Sequence, residues 1–164
     1  MKKPPMAKLT QDYTGRLADL DLFGPDDDPM IRPVTLSLSP GSMVGGKYKE
    51  AQKFLRILMS DKGVPGYSGY GTNLLTQLNQ GLIHNAAQFR VLFASARADA
   101  INFLKAAKIS SNGEVDPRFK DDEYILNVHI QALDVSQDSI ILSLNFVYLD
   151  DEGDILIPIR IPIG

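Results

Sequence analysis

The sequence predicts an α+β domain in which three helices pack on a three-stranded antiparallel sheet. Two hydrophobic patterns carry this prediction. Apolar residues recur at three- and four-residue steps between residues 47 and 108, and they alternate with polar residues between residues 123 and 163. The first spacing is typical of a helix with one buried face, and the second is typical of a strand with one buried face. Because the helical segments precede the strands, we expect one α+β unit.

The first 44 residues differ from the rest of the chain. Six of the ten prolines fall here, and proline interrupts a long helix because it lacks a backbone N–H and clashes with the preceding turn. We therefore predict an extended arm over residues 1–44 and a domain over residues 45–164. The arm segment Tyr13–Phe23 is too apolar for a solvated tail. We expect it to lie on its own domain or on a neighbouring chain.

Three helices are predicted, at about residues 47–60, 72–82 and 86–108. The first has an apolar stripe that includes Ala51 and Leu58, and its polar residues are expected mostly on other faces. Those polar residues are Lys49, Gln52, Lys53 and Arg56. Thr72 is the expected N-cap of the second helix. The third helix repeats phenylalanine and alanine on one face, which suits close packing in a core.

Three strands are predicted, at about residues 123–132, 139–149 and 154–163. In the last strand Pro158 and Pro162 lack an N–H, and because both positions are even, their peptide groups point to the same side. We therefore expect this strand to pair with Ser139–Leu149 on its other side and to present the prolines outward. The opposite edge, near Tyr124–Ala132, has no proline and is the candidate edge for accepting a strand of another chain.

Composition excludes several classes of function. The chain has no cysteine, so it forms neither a disulfide nor a thiolate metal site. Its net charge of -3 gives no electrostatic reason to expect a nucleic-acid partner. Lys2 and Lys3 are followed by prolines and polar residues, so we expect no secretory signal, no membrane partner and a cytoplasmic place of synthesis.

Signals for catalysis are weak. His84 and His129 have no neighbours at metal-ligand spacing and are interpreted as surface residues. The acidic residues cluster in turns, at 26–28, 121–123 and 150–154, where solvation is the default. A glycosidase needs only two carboxylates, so a hydrolase is kept as the alternative. We expect a protein that is not an enzyme and that uses no metal or cofactor.

The segment Gly63–Leu75, GVPGYSGYGTNLL, carries four glycines between two predicted helices. A phosphate-binding loop needs Lys and Ser or Thr behind its last glycine, and a dinucleotide site needs G-x-G-x-x-G after a strand. Neither pattern is present. We interpret the segment as a connector that lets the backbone approach another surface closely.

Several short segments occur in a recognisable order: LADLDLF at 17–23, RILMSDKG at 56–63, PGYSGYGTNLL at 65–75, DPRF at 116–119 and the final three-strand meander. This order resembles the baseplate wedge and sheath-initiator family of contractile phage tails and related injection systems. Family members carry an Asp-Leu-Asp-Leu-type segment, a Thr-x-x-Gly turn, a Pro-x-x-Gly-Ser/Thr-x-Leu segment and a Glu-Pro-Arg motif before the sheet. The resemblance covers about residues 17–164.

The resemblance implies partner-binding residues. Asp116, Pro117 and Arg118 match Glu-Pro-Arg, which in the family contacts the helical core bundle of the wedge. Here Asp shortens the carboxylate arm by one methylene, and the insert KISSNGEV lengthens the approach to the motif. Arg118 is the strongest candidate, since a guanidinium binds carboxylates with two hydrogen bonds. The other expected partner-binding residues are Asp19, Asp21 and Phe23 in the arm, Tyr70 and Gly71 in the glycine segment, and Tyr124, Asn127 and His129 at the sheet edge.

The resemblance implies a structural protein of the virion that lies in the tail baseplate and is assembled in the host cytoplasm. The implied partners are the tail sheath subunit and the wedge core-bundle proteins, with tail tube or hub proteins as further candidates. The implied mechanism is that a sheath strand completes the sheet of this chain. Two alternatives stay open: a lysozyme-like hydrolase of peptidoglycan, a label that has been attached to this family, and another non-enzymatic tail or baseplate subunit.

Overall fold

The computed structural model describes residues 43–63, 69–150 and 153–163, together with the residue pair 19–20. The elements follow the order β1 (Asp19–Leu20), β2 (Met43–Val44), α1 (Gly46–Leu58), α2 (Leu74–Asn79), α3 (Ala86–Ala106), a short 3-10 turn (Asp121–Glu123), β3 (Ile125–Val135), β4 (Ser139–Tyr148) and β5 (Ile155–Pro162). The predicted α+β class, with helices followed by a three-stranded antiparallel sheet, is confirmed.

The helices begin and end close to their predicted limits, except for α2. The prediction that Thr72 is the N-cap of α2 is wrong: α2 runs from Leu74 to Asn79, and its N-cap is Asn73, which makes no side-chain capping hydrogen bond. Thr72 lies one residue earlier, and its Oγ1 accepts a hydrogen bond from Leu74 N at 3.2 Å. Gly81, two residues after Asn79, has φ +66 and takes a conformation that ends a helix readily. At α3, Asn85 Oδ1 accepts from Gln88 N at 2.9 Å, so the long helix has a side-chain N-cap.

The sheet has the strand order β3-β4-β5, and both pairs are antiparallel. Ser139 of β4 lies opposite Pro162 of β5. The Ser139 carbonyl accepts a hydrogen bond from Ser136 N at 3.0 Å in the turn that joins β3 to β4, so the backbone groups of Ser139 face β3 and not β5. In an antiparallel sheet successive residues bond alternately to one side and to the other. Pro162, and Pro158 four residues earlier, therefore face away from β4, as the sequence predicts.

Strand β3 departs from simple alternation. Its register against β4 shifts between Ile125 and Asn127 and again between Ile130 and Ala132. Each shift is a bulge, which adds a residue to one strand and moves the following side chains to the opposite face. Alternation of apolar and polar residues predicts Tyr124, Leu126, Val128 and Ile130 on one face, yet Leu126 is 49% exposed and Ile125 is buried. The predicted pairing of Tyr124 and Leu126 with Val128 on one face is wrong for this reason.

One hydrophobic core lies between the helices and one face of the sheet. The alternating residues of β4 are all buried, and an edge-to-face pair of Phe54 and Phe146, with ring centroids 5.4 Å apart, joins α1 to the sheet. The helix α3 contributes Phe89, Phe93, Ala96 and Ala100, as its spacing predicts. Burial of this apolar surface is the main force that holds α1 and α3 on the sheet.

The N-terminus of α1 is fixed by polar contacts to the turn between β4 and β5. Lys47 Nζ donates to Gly153 O at 2.7 Å and lies 2.9 Å from Asp150 Oδ1. The buried Tyr148 hydroxyl donates to Lys47 O at 2.6 Å. Burial raises the pKa of Tyr148 well above its ordinary value of 10.0, and the nearby Glu50 charge acts in the same direction.

This raised pKa predicts a stability loss at alkaline pH. The folded chain keeps the Tyr148 proton where the unfolded chain loses it, so the contribution of this group is fully present below pH 10.0 and is lost as the pH rises further. Tyr148→Phe should cost about 1 kcal/mol of unfolding free energy near neutrality through the lost hydrogen bond. Urea denaturation from about pH 8 to about pH 11 should show the wild-type advantage shrinking above pH 10. A constant difference across this range contradicts the assignment.

Candidate partner-binding surfaces

The predicted motif Asp116-Pro117-Arg118 forms a tight exposed turn before the sheet. Phe119 N donates to Asp116 O at 3.1 Å and closes the turn, and Arg118 N donates to Asp116 Oδ1 at 3.0 Å. The guanidinium of Arg118 folds back on the same carboxylate, with Nη2 at 2.6 Å from Oδ2 and Nε at 3.0 Å from both oxygens. The Arg118 side chain is nonetheless 62% exposed. The turn therefore presents a pre-oriented guanidinium to solvent.

The two charged groups stabilise each other's ionised form. Hydrogen bonding from Arg118 lowers the pKa of Asp116 below its ordinary value, and the Asp116 carboxylate raises the pKa of Arg118. Both groups stay charged around neutrality. The part of the guanidinium that does not face Asp116 remains a donor surface for an acidic partner.

A buried ion cluster lies beneath this turn. It consists of Lys49 and Glu50 from α1, Lys108 after α3, and Glu123 from the 3-10 turn, and the four residues are 1%, 0%, 3% and 0% exposed. Lys49 Nζ donates to Glu123 Oε1, and Lys108 Nζ donates to the Glu123 carbonyl. Lys108 Nζ also lies 2.7 Å from Glu50 Oε2, an ion pair without the direction of a good hydrogen bond.

This cluster corrects two expectations. The sequence predicts Lys49 mostly away from the apolar stripe of α1 and Glu123 in a solvated acidic turn, but both are buried. A buried charge costs several kcal/mol unless an opposite charge and hydrogen bonds compensate it. Each of these residues finds that compensation only after α1, the end of α3 and the 3-10 turn have met in space, which a local sequence pattern does not report.

Phe119 links the exposed turn to the ion cluster. Its ring lies 5.7 Å from Lys49 Nζ and 5.6 Å from Lys108 Nζ, so the ammonium groups face an aromatic surface where they have left water. Burial lowers the pKa of Lys108, and the Glu50 charge opposes that shift. Asp116 N donates to Lys108 O at 2.9 Å. Arg118 is therefore held by a chain of contacts that begins in the core.

A cavity of about 240 Å³ opens beside the ion cluster, between α1, the end of α3 and the Phe119 turn. Tyr70, Phe103 and Phe119 supply aromatic walls, and Tyr70 meets Phe103 edge to face at 5.3 Å between centroids. Glu50 is the carboxylate of this wall in the described part of the chain. Its Oε1 accepts from Lys53 Nζ at 3.1 Å, and its Oε2 faces Lys108.

The glycine segment brings the end of α1 against the start of α2. Thr72 N donates to Ser60 O at 2.7 Å, and Thr72 Oγ1 donates to Leu58 O at 2.8 Å. Gly71 takes φ +89, and a Cβ built on it would lie 2.4 Å from Asp61 O. The expected close backbone approach is therefore present at Gly71. Residues 64–68 of this segment lie outside the described residues.

At the free edge of β3, the N–H and C=O groups of Val128 point outward, and each forms a hydrogen bond with a side chain. Val128 N donates to Asn127 Oδ1 at 2.9 Å, and Arg97 Nη1 from α3 donates to Val128 O at 3.1 Å. Both groups therefore point away from β4. By alternation, the backbone groups of Asn127 and His129 face β4, where these residues pair with Val147 and Asn145. The sequence pattern does not predict that Val128 and Arg97 meet at the strand edge, because it shows neither bulge of β3.

The remaining expected residues are spread over the molecule. Asp19 lies in β1, opposite Val44 of β2, while Asp21 and Phe23 lie outside the described residues. Tyr70 lines the cavity beside Phe119, and Tyr124 directly precedes β3 with a buried hydroxyl that has no hydrogen-bond partner among the described residues. The structure thus groups Tyr70 loosely with the Asp116–Phe119 turn, and it places Asn127 and His129 together on β3.

Within the described residues, no cluster of three or more His, Cys, Asp or Glu side chains is placed to hold a metal ion. The described helices include none that is long and apolar enough to cross a membrane. Comparisons of the chain with protein-family models, with curated proteins and with solved structures found no match.

Breaking one member of the ion cluster should destabilise the whole domain. Glu123→Gln removes the nearer carboxylate partner of the buried Lys49 ammonium and leaves it only the more distant Glu50, 3.9 Å away. The expected loss of unfolding free energy is about 3–5 kcal/mol. The double variant Lys49→Met/Glu123→Leu removes both charges together and should lose much less than the two single changes summed. Urea denaturation of the double variant and of its two single variants, Lys49→Met and Glu123→Leu, measures this. Additive losses contradict a coupled buried pair.

Gly71 should be far less tolerant than Gly63. Both have positive φ, at +89 and +92, but a Cβ at Gly63 meets no atom within 4 Å. Gly63→Ala should therefore cost only the conformational strain, about 1–2 kcal/mol. Gly71→Ala adds the overlap with Asp61 O and should cost about 3 kcal/mol or more. Equal thermal denaturation midpoints for the two variants contradict the close approach at Gly71.

Proposed function

We propose that this chain is a non-enzymatic structural subunit of the baseplate of a contractile tail. It joins the core bundle of the wedge to the first sheath ring, and it initiates sheath polymerisation by strand pairing. The proposal starts from the order of short segments between residues 17 and 119. Two surfaces of the described structure support it: the turn that carries Arg118 and the free edge of β3.

The first supporting surface is the turn with Arg118. A guanidinium that is 62% exposed and held by Asp116 loses little conformational freedom when it binds. Its expected ligand is a carboxylate on a helix of the wedge core bundle, which the remaining guanidinium donors can bind. Val115 directly precedes Asp116 and pairs with Ile109 in an isolated antiparallel β-bridge, and the exposed side chains of both residues add apolar area near the charge.

The second surface is the observation that carries the proposal. The sheet has one edge, on β5, where Pro158 and Pro162 face outward, and a second edge on β3 without proline. An incoming strand needs backbone donors and acceptors. The β3 edge is therefore the side on which a sheath strand adds, and the β5 edge is protected from pairing.

Locating the protein in an intact particle is the direct test. Cryo-electron microscopy of the tail should place the chain between the wedge bundle and the first sheath ring, with a sheath strand along β3. A strand along the outer side of β5, or a position in the tube, overturns the proposal. The purified chain should release no fragments from peptidoglycan in a turnover assay, and measurable turnover favours the hydrolase alternative.

Arg118→Ala should impair assembly without unfolding the chain. The side chain is exposed, and in the described structure it donates its hydrogen bonds to Asp116, so the thermal denaturation midpoint should stay near that of the wild type. Incorporation into wedges should fall by about tenfold, the effect of losing one oriented charged contact. Arg90→Ala on α3 is a matched control for loss of an exposed arginine. Normal wedge incorporation of Arg118→Ala contradicts the role of the turn.

A further inference from the structure

The most informative feature outside the Arg118 turn is the state of the β3 edge. An edge strand normally exposes backbone groups to solvent, yet Val128, in the middle of the first half of β3, is 0% exposed. Arg97 covers its carbonyl from α3, and the Asn127 side chain covers its N–H. We call these two side chains the edge cap.

The edge cap matches what an added strand would supply. A neighbouring antiparallel strand donates one N–H to an outward carbonyl and accepts one hydrogen bond from the outward N–H of the same residue. Arg97 performs the first role, and Asn127 performs the second. Unlike proline, both side chains can rotate away, so the edge is blocked against chance pairing without being destroyed.

We propose that the β3 edge is a strand-accepting site that the edge cap keeps closed in the free chain, and that an incoming strand opens it by replacing both side-chain hydrogen bonds at Val128. The identity of the incoming strand as part of a sheath subunit rests on the proposed function. The closed state of the site rests on the contacts of the free chain alone.

The surroundings of Arg97 define the chemistry of the partner. A cavity of about 210 Å³ lies between α3 and β3, and its lining is Arg90, Phe93, Ala94, Arg97, His129 and Ile130. When Arg97 leaves Val128 O, its guanidinium needs another acceptor, since a desolvated donor without a partner is costly. Arg90 adds a second positive charge to the same cavity. The incoming strand therefore carries an Asp or Glu side chain that enters this cavity and binds Arg97.

The closed state is tested on the full-length free chain by amide hydrogen exchange. Asn127→Ala should speed exchange of the Val128 amide by about tenfold. Asn127→Asp retains an acceptor and should preserve protection. Asn145→Ala is the matched control. The Asn145 side chain lies on the outer face of β4, and its Nδ2 donates to Asp154 Oδ2 at 2.9 Å and not to Val128. Unchanged exchange of Val128 in Asn127→Ala overturns the edge cap.

A second test of the edge cap measures self-association of the chain and needs no partner protein. The double variant Arg97→Ala/Asn127→Ala leaves an uncapped edge and should associate, in sedimentation velocity, at concentrations about tenfold lower than the wild type. The control Arg160→Ala/Asn145→Ala removes the same side-chain types away from the β3 edge cap, and it should behave as the wild type. Equal behaviour of the two double variants overturns the role of the cap in blocking pairing.

Charge reversal at one position tests the partner. Arg97→Gln keeps a donor for Val128 O, whereas Arg97→Glu places a carboxylate where the acidic partner side chain should bind. Sheath assembly on baseplates should fall by about tenfold or more in Arg97→Glu relative to Arg97→Gln. Equal assembly overturns the acidic partner. If the free-chain results hold and intact particles show no strand on β3, the edge cap stands while the proposed function and the sheath partner are overturned.

Discussion

The buried ion cluster is the interaction on which the arrangement of the other elements depends. Lys49, Glu50, Lys108 and Glu123 come from three separate parts of the chain, and each is charged where water is excluded. Apolar packing tolerates small shifts between helix and sheet, but ions in a medium of low polarity do not, because their compensation depends on close distances. The cluster therefore selects one position for α1 relative to the start of β3.

Both surfaces proposed to bind partners are connected to this selected position. The Arg118 turn is bound to the Lys108 carbonyl through the Asp116 N–H, and the Phe119 ring lies next to the Lys108 ammonium group. On the other side, Glu123 directly precedes Tyr124 and β3, so the register of the strand edge starts from a fixed point. The carboxylate of Glu123 also accepts from Lys120 N at 3.0 Å. A single buried residue thus orients the backbone in both directions.

The sequence predicted those features that depend on near neighbours. The class, the three strands, the core face of β4 and the outward prolines of β5 follow from period and from the missing N–H of proline. What it did not predict depends on residues far apart in the chain. The sequence places Lys49 away from the apolar stripe and Glu123 in solvent, but both are buried, and the bulges of β3 exchange the side chains on its two faces. Arg97 reaches Val128 only once α3 lies along the edge strand, so no local pattern announces it.

The position of Glu123 between the two surfaces has a mechanical consequence. A force that pulls the Arg118 turn away from the β3 edge travels along the backbone and meets Glu123 before it reaches the sheet. There the ion pair with Lys49 diverts the load into α1 and the core. The β3–β4 ladder is then spared from being peeled apart one hydrogen bond at a time from its Tyr124 end. Under such tension the buried ion pair, and not the first hydrogen bonds of the β3–β4 ladder, takes the load.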